Sequence, residues 1–196
     1  MKKVILFSCL MCLAEFLSAQ AKTEKEYRNF PLILTVQFHS LTLPFKDIKS
    51  NFCNVGIGLG TEVSFNGYQN WVQQFNIGWI RNKTTGNGWL LSTQTVWRPA
   101  IADDFFAELK IGVGYKYNSR PVESYKQENG QWVAVGQKGK GMLAVPVGFS
   151  VGYNGYSPGT YFSPFVSYQL LVLKGYNTSV PIVPETLLQT GTRVHF

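Results

Sequence analysis

The chain has 196 residues, a net charge of +7 and 45% hydrophobic content, with charged and aromatic residues each at 15%. Soluble domains carry about 25% charged residues, so this sequence is short of solvated surface. Its aromatic content also excludes disorder, which goes with few aromatics and high charge. The length fits a single domain.

Met1, Lys2 and Lys3 form a short basic start. Residues 4–14 (VILFSCLMCLA) are an apolar run, and Ser18, Ala19, Gln20 and Ala21 make a small-residue exit. This is the order of regions in a secretory signal peptide. It predicts removal of residues 1–21, with cleavage after Ala21 or after Ala19. The apolar run is too short for a membrane anchor, which needs about 20 residues. Cys9 and Cys12 lie inside the run rather than directly after a small-residue box, so no lipidation is expected. Residues 1–21 include Lys2, Lys3 and Glu15, so the remainder has a net charge of +6. Cys53 is its one cysteine, which leaves no intramolecular disulfide. Residues 22–30 are expected to form a short periplasmic segment, and residues 31–196 the folded domain.

Past residue 31 the hydrophobic pattern alternates, the signature of half-buried strands. Leu109, Ile111, Val113, Tyr115 and Tyr117 fall on one face and Glu108, Lys110, Gly112, Gly114 and Lys116 on the other. Leu143, Val145, Val147, Phe149, Val151 and Tyr153 alternate in the same way with Ala144, Pro146, Gly148, Ser150 and Gly152. Eight such segments are predicted: 32–43, 54–65, 71–82, 88–98, 105–117, 142–153, 160–173 and 186–196. Most are longer than soluble strands, which average about 5–6 residues, and match the roughly 9–11 residues that a tilted membrane-crossing strand needs. No apolar run after residue 21 is long enough for a transmembrane helix. The predicted fold class is therefore all-β: an eight-stranded antiparallel up-and-down transmembrane barrel. Closure is required, because an open edge in lipid leaves backbone groups unpaired.

The connections support this. Residues 66–70, 99–104 and 154–159 are short links; 44–53, 119–141 and 174–185 are long. Only 83–87 breaks the alternation of tight periplasmic turns and longer external loops. Trp71, Trp79, Trp89, Trp97, Tyr115, Tyr153 and Tyr168 lie on strands, where interfacial girdles need aromatics. A soluble ligand-binding barrel is the competing arrangement, but its outer faces would need more charge than these segments carry.

The export signal, the eight segments and the final residues 190–196 (TGTRVHF) resemble the small outer-membrane β-barrels of Gram-negative bacteria. The Ser-Ala-Gln exit resembles signal peptides of Bacteroidetes. The resemblance implies an outer-membrane location. It also implies that Phe196, an aromatic at the end of the last strand, is read by the barrel-assembly machinery.

Among the inward residues, Glu62, Arg98, Glu108, Lys110 and Arg193 fall toward the periplasmic half once strand direction is taken into account. An eight-stranded barrel is just wide enough for side chains to fill it, so these three cations and two carboxylates are expected to form a structural plug; a narrow ion path is the alternative. Numerous inward glycines are expected to make room for bulky neighbours, or else a cavity in the outer half. Pro146 and Pro164, on consecutive strands, each lack a ladder N–H. If they lie at comparable height they weaken the wall between strands six and seven. That feature resembles the outer-membrane lipid A palmitoyltransferase, a resemblance that would make His39 and Ser40 catalytic candidates, although the adjacent Asp-Ser pair of that family is missing. The His-x-Ser-Asn motif of the lipid A deacylase is missing too.

Two distant histidines and one cysteine make no zinc set, so no metal or cofactor is expected. Export argues against nucleic acid. The basic excess (Lys83, Lys126, Lys138, Lys140, Lys174) suits lipopolysaccharide phosphates instead. The loop 119–141 is expected to form a short β-extension or a docking surface, with Trp132 as its anchor. The leading expectation is a non-enzymatic structural or accessory barrel that binds lipid or a partner protein, within a membrane protein complex, through its external loops and wall. A lipid-modifying enzyme with lateral access near Pro146 and Pro164 is the alternative, and a narrow pore the third.

Overall fold

The computed structural model describes residues 27–40, 52, 54–82, 86–102, 104–119, 123–136, 139–176 and 181–196. The expected signal peptide, Cys53, Lys83 and Lys138 lie outside the described residues. Ten strands follow in chain order: β1 (Leu32–Ser40), β2 (Val55–Ser64), β3 (Trp71–Ile80), β4 (Gly88–Trp97), β5 (Phe105–Asn118), β6 (Ser124–Glu128), β7 (Gln131–Gly136), β8 (Lys140–Tyr153), β9 (Tyr161–Lys174) and β10 (Ile182–His195). Eight of them close a barrel in the order β1-β10-β9-β8-β5-β4-β3-β2, while β6 and β7 pair only with each other. Strand β1 closes the ring by pairing with both β2 and β10, so Ile33 stands opposite Gly60 on one side and Arg193 on the other. Every barrel strand thus has two neighbours, as a wall in lipid requires.

The alternation of the sequence becomes an inverted protein. Leu59, Leu91, Ile111, Val113, Leu143 and Val147 are exposed on the outer face. Glu62, Gln94, Glu108, Lys116, Gln169 and Arg193 are buried in the lumen. Aromatic pairs mark the edges of the apolar band. Trp71 opposes Trp97 at one end of the β3–β4 pair and Trp79 opposes Trp89 at the other, about 26 Å apart along the strand at roughly 3.3 Å per residue. The three connections at the Trp71 end have six or seven residues each, while the opposite end carries the two longest, 41–54 and the β5–β8 link, which makes the Trp71 end the periplasmic side. At the opposite end β5 and β8 run on for 14 residues each, and the β6–β7 hairpin lies between them in the chain. The predicted β-extension within 119–141 is this hairpin.

Two features differ from the sequence expectation, the start of the last strand and the heights of two prolines. The last strand begins at Ile182 rather than at residue 186, which carries Glu185 into the lumen. The outer half of the lumen holds an apolar cluster of Ile80, Leu90, Met142, Ala144, Leu171, Leu173 and Leu187. The inward glycines serve as seats for neighbouring side chains: a Cβ at Gly58 would lie 2.3 Å from the Gln37 amide, and one at Gly112 would lie 2.0 Å from the Thr93 carbonyl oxygen. Finally, Pro146 and Pro164 are not at the same height. In the β8–β9 register Pro146 faces Leu171, seven residues along β9 from Pro164, or roughly 23 Å. The β8–β9 ladder runs unbroken past Pro146. The break lies on its other side, where Gly112 and Val113 of β5 have no pairing with Pro146 and Val145. The missing N–H therefore weakens the β5–β8 seam, not the β8–β9 seam.

Candidate functional site

The lumen is stacked in layers, each built from inward positions two residues apart on its strands. The periplasmic layer joins all five predicted charged residues. Arg98, just after β4, donates through Nη2 to both Glu62 oxygens (2.7 and 2.9 Å) and through Nε to Glu108 Oε1 (2.6 Å). Arg193 on β10 spans the same two carboxylates, with Nε 3.2 Å from Glu62 Oε2 and Nη2 2.5 Å from Glu108 Oε1. Lys110 Nζ lies 2.9 Å from Glu108 Oε2. The cations are roofed by rings: Arg193 Cζ sits 4.4 Å from the Phe165 centroid, Lys110 Nζ 5.1 Å from the same ring, and Arg98 Cζ 5.3 Å from the Phe106 centroid. Three cations against two carboxylates leave a formal +1 in a sealed space.

The residue that closes this layer lies outside every periodic pattern of the sequence. The segment before β1 crosses the periplasmic mouth and inserts Tyr27, whose hydroxyl donates to Glu62 Oε1. Tyr27 packs with Val72 and Val96 and edge-on against His195, which stacks on Tyr161 at 4.3 Å. Backbone bonds from Tyr27 N to Gly67 O and from Phe30 N to Glu62 O fix the segment. Arg28 adds bonds to the Pro158 and Gly159 carbonyls. Burial, and then the adjacent Glu62 carboxylate, push the Tyr27 hydroxyl well above its ordinary value of 10.0.

Above the ionic layer runs a chain of amides. Gln94 Nε2 donates to Gln169 Oε1 at 2.8 Å, and Gln169 Nε2 donates to Gln189 Oε1 at 2.6 Å. Toward the extracellular end lies a second ionic group. His39 Nε2 is 2.8 Å from Glu185 Oε2, and Lys116 Nζ donates to the same oxygen. Asn82 Nδ2 lies 3.4 Å from His39 Nδ1, and Lys116 Nζ 3.4 Å from His39 Nε2. All three ionic side chains are nearly inaccessible. Ser40 follows His39 directly, so strand alternation directs it to the opposite face of the wall; its main chain pairs with Thr186. Continuing the β10 alternation back from Leu187 and Gln189 is the sequence signal that would have found Glu185; Pro184 hid it.

Outside the lumen, Trp132 on β7 is 69% exposed and Tyr125 on β6 is 59% exposed. The hairpin register sets Trp132 opposite Gln127 and Tyr125 opposite Ala134, which puts both rings on one face. Phe196, beyond the end of β10, is exposed. Among the described residues, no three His, Cys, Asp or Glu side chains come together in a way that could hold a metal ion.

The chain shares its fold with small outer-membrane barrels. It is 12% identical to the crystal structure of Neisserial surface protein A, with a TM-score of 0.58, over 85% of this chain and 97% of that one. It is 13% identical to Ail, the attachment invasion locus protein of Yersinia pestis, with a TM-score of 0.52, over 86% of this chain and 99% of that one. No protein-family model and no curated protein matches the sequence. The chain is therefore an outer-membrane-type eight-stranded barrel, and the identities are low enough that the likeness extends to the fold alone.

Proposed function

We propose that this protein is a non-enzymatic outer-membrane barrel that engages a partner protein through its extracellular hairpin and holds lipopolysaccharide at its outer rim. The observation that carries the reading is the aromatic face of β6–β7. A lone two-stranded ribbon is marginally stable in water, yet this one turns Trp132 and Tyr125 to solvent side by side. Trp and Tyr are the residues most enriched at binding hot spots. For lipid, Arg81 beside Trp79 and Lys174 at the end of β9 are exposed cations at the rim, suited to phosphates. The layered lumen supports a structural role, because its charged side chains are paired with one another and buried rather than lining an open path.

The test is mild-detergent extraction from native membranes with quantitative mass spectrometry. A stoichiometric protein partner that is retained by Tyr156→Ala and lost from Trp132→Ala supports the reading. Equal recovery with both variants, or a barrel carrying lipid alone, counts against the partner. A second reading, lipid modification with lateral access, draws on the β5–β8 ladder break at Pro146. It requires altered lipid A in a deletion strain and its restoration by the wild-type chain but not by His39→Ala.

A further inference from the structure

We propose that the outer face of β2–β4 is an interface with a second copy of this chain inside the membrane. The wall is chemically uneven, with polar outward side chains on β2–β4 and, as Thr190 and Thr192, on β10. The outward positions of β5, β8 and β9 between the rims are aliphatic, aromatic or small, among them Ile111, Val113, Val147 and Val166. On the other side Thr61 of β2, Gln73 of β3 and Thr93 and Thr95 of β4 point outward. The register holds them together: Gln73 opposes Val63 and Thr95, and Phe75 opposes Thr61 and Thr93. They lie between the Trp71–Trp97 and Trp79–Trp89 pairs, and so within the apolar band.

A glutamine in that band is costly unless its amide is satisfied. Gln73 is partly so: Nε2 donates to Thr93 Oγ1 at 2.5 Å, and Thr95 Oγ1 donates to Gln73 Oε1 at 2.8 Å. An amide nitrogen has two protons and a hydroxyl one, so a second Gln73 N–H and the Thr93 proton are not used by these two bonds. Lipid tails accept none of these. Amides and hydroxyls both donate and accept, so the patch complements itself across a two-fold axis along the membrane normal, the commonest symmetry of homo-oligomers. It carries no charge that a second copy would repel. Next to it is a furrow of about 310 Å³ lined by Leu59, Gly60, Thr61, Phe75, Ile77 and Leu91, among others. The furrow exists because Gly60 and Thr61 are small between larger neighbours, and it gives a facing side chain somewhere to seat. A flat lipid-facing wall needs neither the furrow nor the hydroxyls.

The test uses the full barrel in native outer membranes, in a Cys53→Ser background with one new cysteine at a time. Leu91→Cys sits on the furrow rim; Val166→Cys sits on β9, three strands away around the ring. Oxidation is expected to give a disulfide-linked species of twice the chain mass for Leu91→Cys and not for Val166→Cys. Gln73→Leu is expected to raise the dimer dissociation constant in mild detergent by about three- to thirty-fold, the usual range for hydrogen bonds lost between membrane segments. Equal cross-linking at both positions, no homodimer, an adduct with a different protein, or a dissociation constant unmoved by Gln73→Leu would each overturn the proposal.

Discussion

Glu108→Gln is the most informative single change in the lumen. The Glu108 carboxylate touches three cations: Arg98 at 2.6 Å, Arg193 at 2.5 Å and Lys110 at 2.9 Å. The glutamine has the same shape but turns an N–H toward those cations, and the layer's formal charge rises from +1 to +2 with no exposure to water. Removing one partner from a buried ion pair costs about 3–5 kcal/mol, and this carboxylate serves three partners at once. Arg98→Met is the instructive contrast. It brings the layer to zero formal charge and leaves Glu62 with Arg193 and Tyr27, and Glu108 with Arg193 and Lys110. Its cost is the lost charge-assisted hydrogen bonds, about 1–3 kcal/mol. Glu108→Gln should therefore be the more destabilising variant although it changes fewer atoms. Adding Lys110→Met should restore part of the loss, about 1 kcal/mol or more, by returning the charge to +1. Urea unfolding in phospholipid vesicles, followed by the fluorescence of the girdle tryptophans, measures this. A Glu108→Gln barrel within about 0.5 kcal/mol of wild type, or a reversed order of the two single variants, would refute the charge-balance argument.

Gly112→Ala should destabilise the barrel by about 1–3 kcal/mol, the usual cost of overpacking, because its Cβ would meet the Thr93 carbonyl and the Gln94 backbone. Gly58→Ala should cost less, since its Cβ meets the movable Gln37 and Thr35 side chains; vesicle unfolding ranks them. Tyr27 keeps its proton more tightly when docked, so docking of the strap is at full strength below about pH 10 and is lost as pH rises through the raised value. Proteolysis of residues before β1 should accelerate only above that pH, and Tyr27→Phe should abolish the dependence. In planar bilayers the wild-type barrel should give no stable large conductance, and a steady nanosiemens-scale channel would remove the plug reading.

The fold was legible because a barrel in lipid imposes two constraints that sequence records directly: strict alternation and long strands. The five periplasmic charges were legible for the same reason. Parity fixed their face, and counting from the turns fixed their height. What stayed hidden were contacts that parity does not encode. Tyr27 precedes the first strand and belongs to no periodic pattern, so nothing in its neighbourhood marks it as a lid. Glu185 sits after Pro181 and Pro184, which read as loop, although an edge-like strand start tolerates proline where no ladder N–H is needed. Pro146 and Pro164 lie at different heights partly because the turn at 154–160 does not bisect the register. The pairing of Gly152 with Phe165 shifts the two prolines apart.

The two ionic groups explain why the lumen needs charge at all. A barrel whose outer face is apolar must take its solubility and its register from the inside. An interior of aliphatic residues alone would let one strand slip by two residues at little cost, since a two-residue slip keeps every side chain on its face. Arg193 reaching both Glu62 and Glu108 ties β10 to β2 and β5 at one height, and Glu185 with His39 and Lys116 ties β10 to β1 and β5 at another. A slip of β10 would break both groups together and leave buried charges unpaired. Every slipped register of β10 incurs that penalty and the native one does not, so the charges act as register keys. The apolar cluster of Leu171, Leu173 and Leu187 between the ends supplies packing but little discrimination. On this argument Lys116→Met, which leaves the Glu185–His39 pair in place, should lower the fidelity of closure more than it lowers the stability of correctly closed barrels. The readout is the yield of the folded, heat-modifiable form against its unfolding midpoint: a loss of both in proportion would mean that Lys116 is an ordinary stabilising contact and not a key.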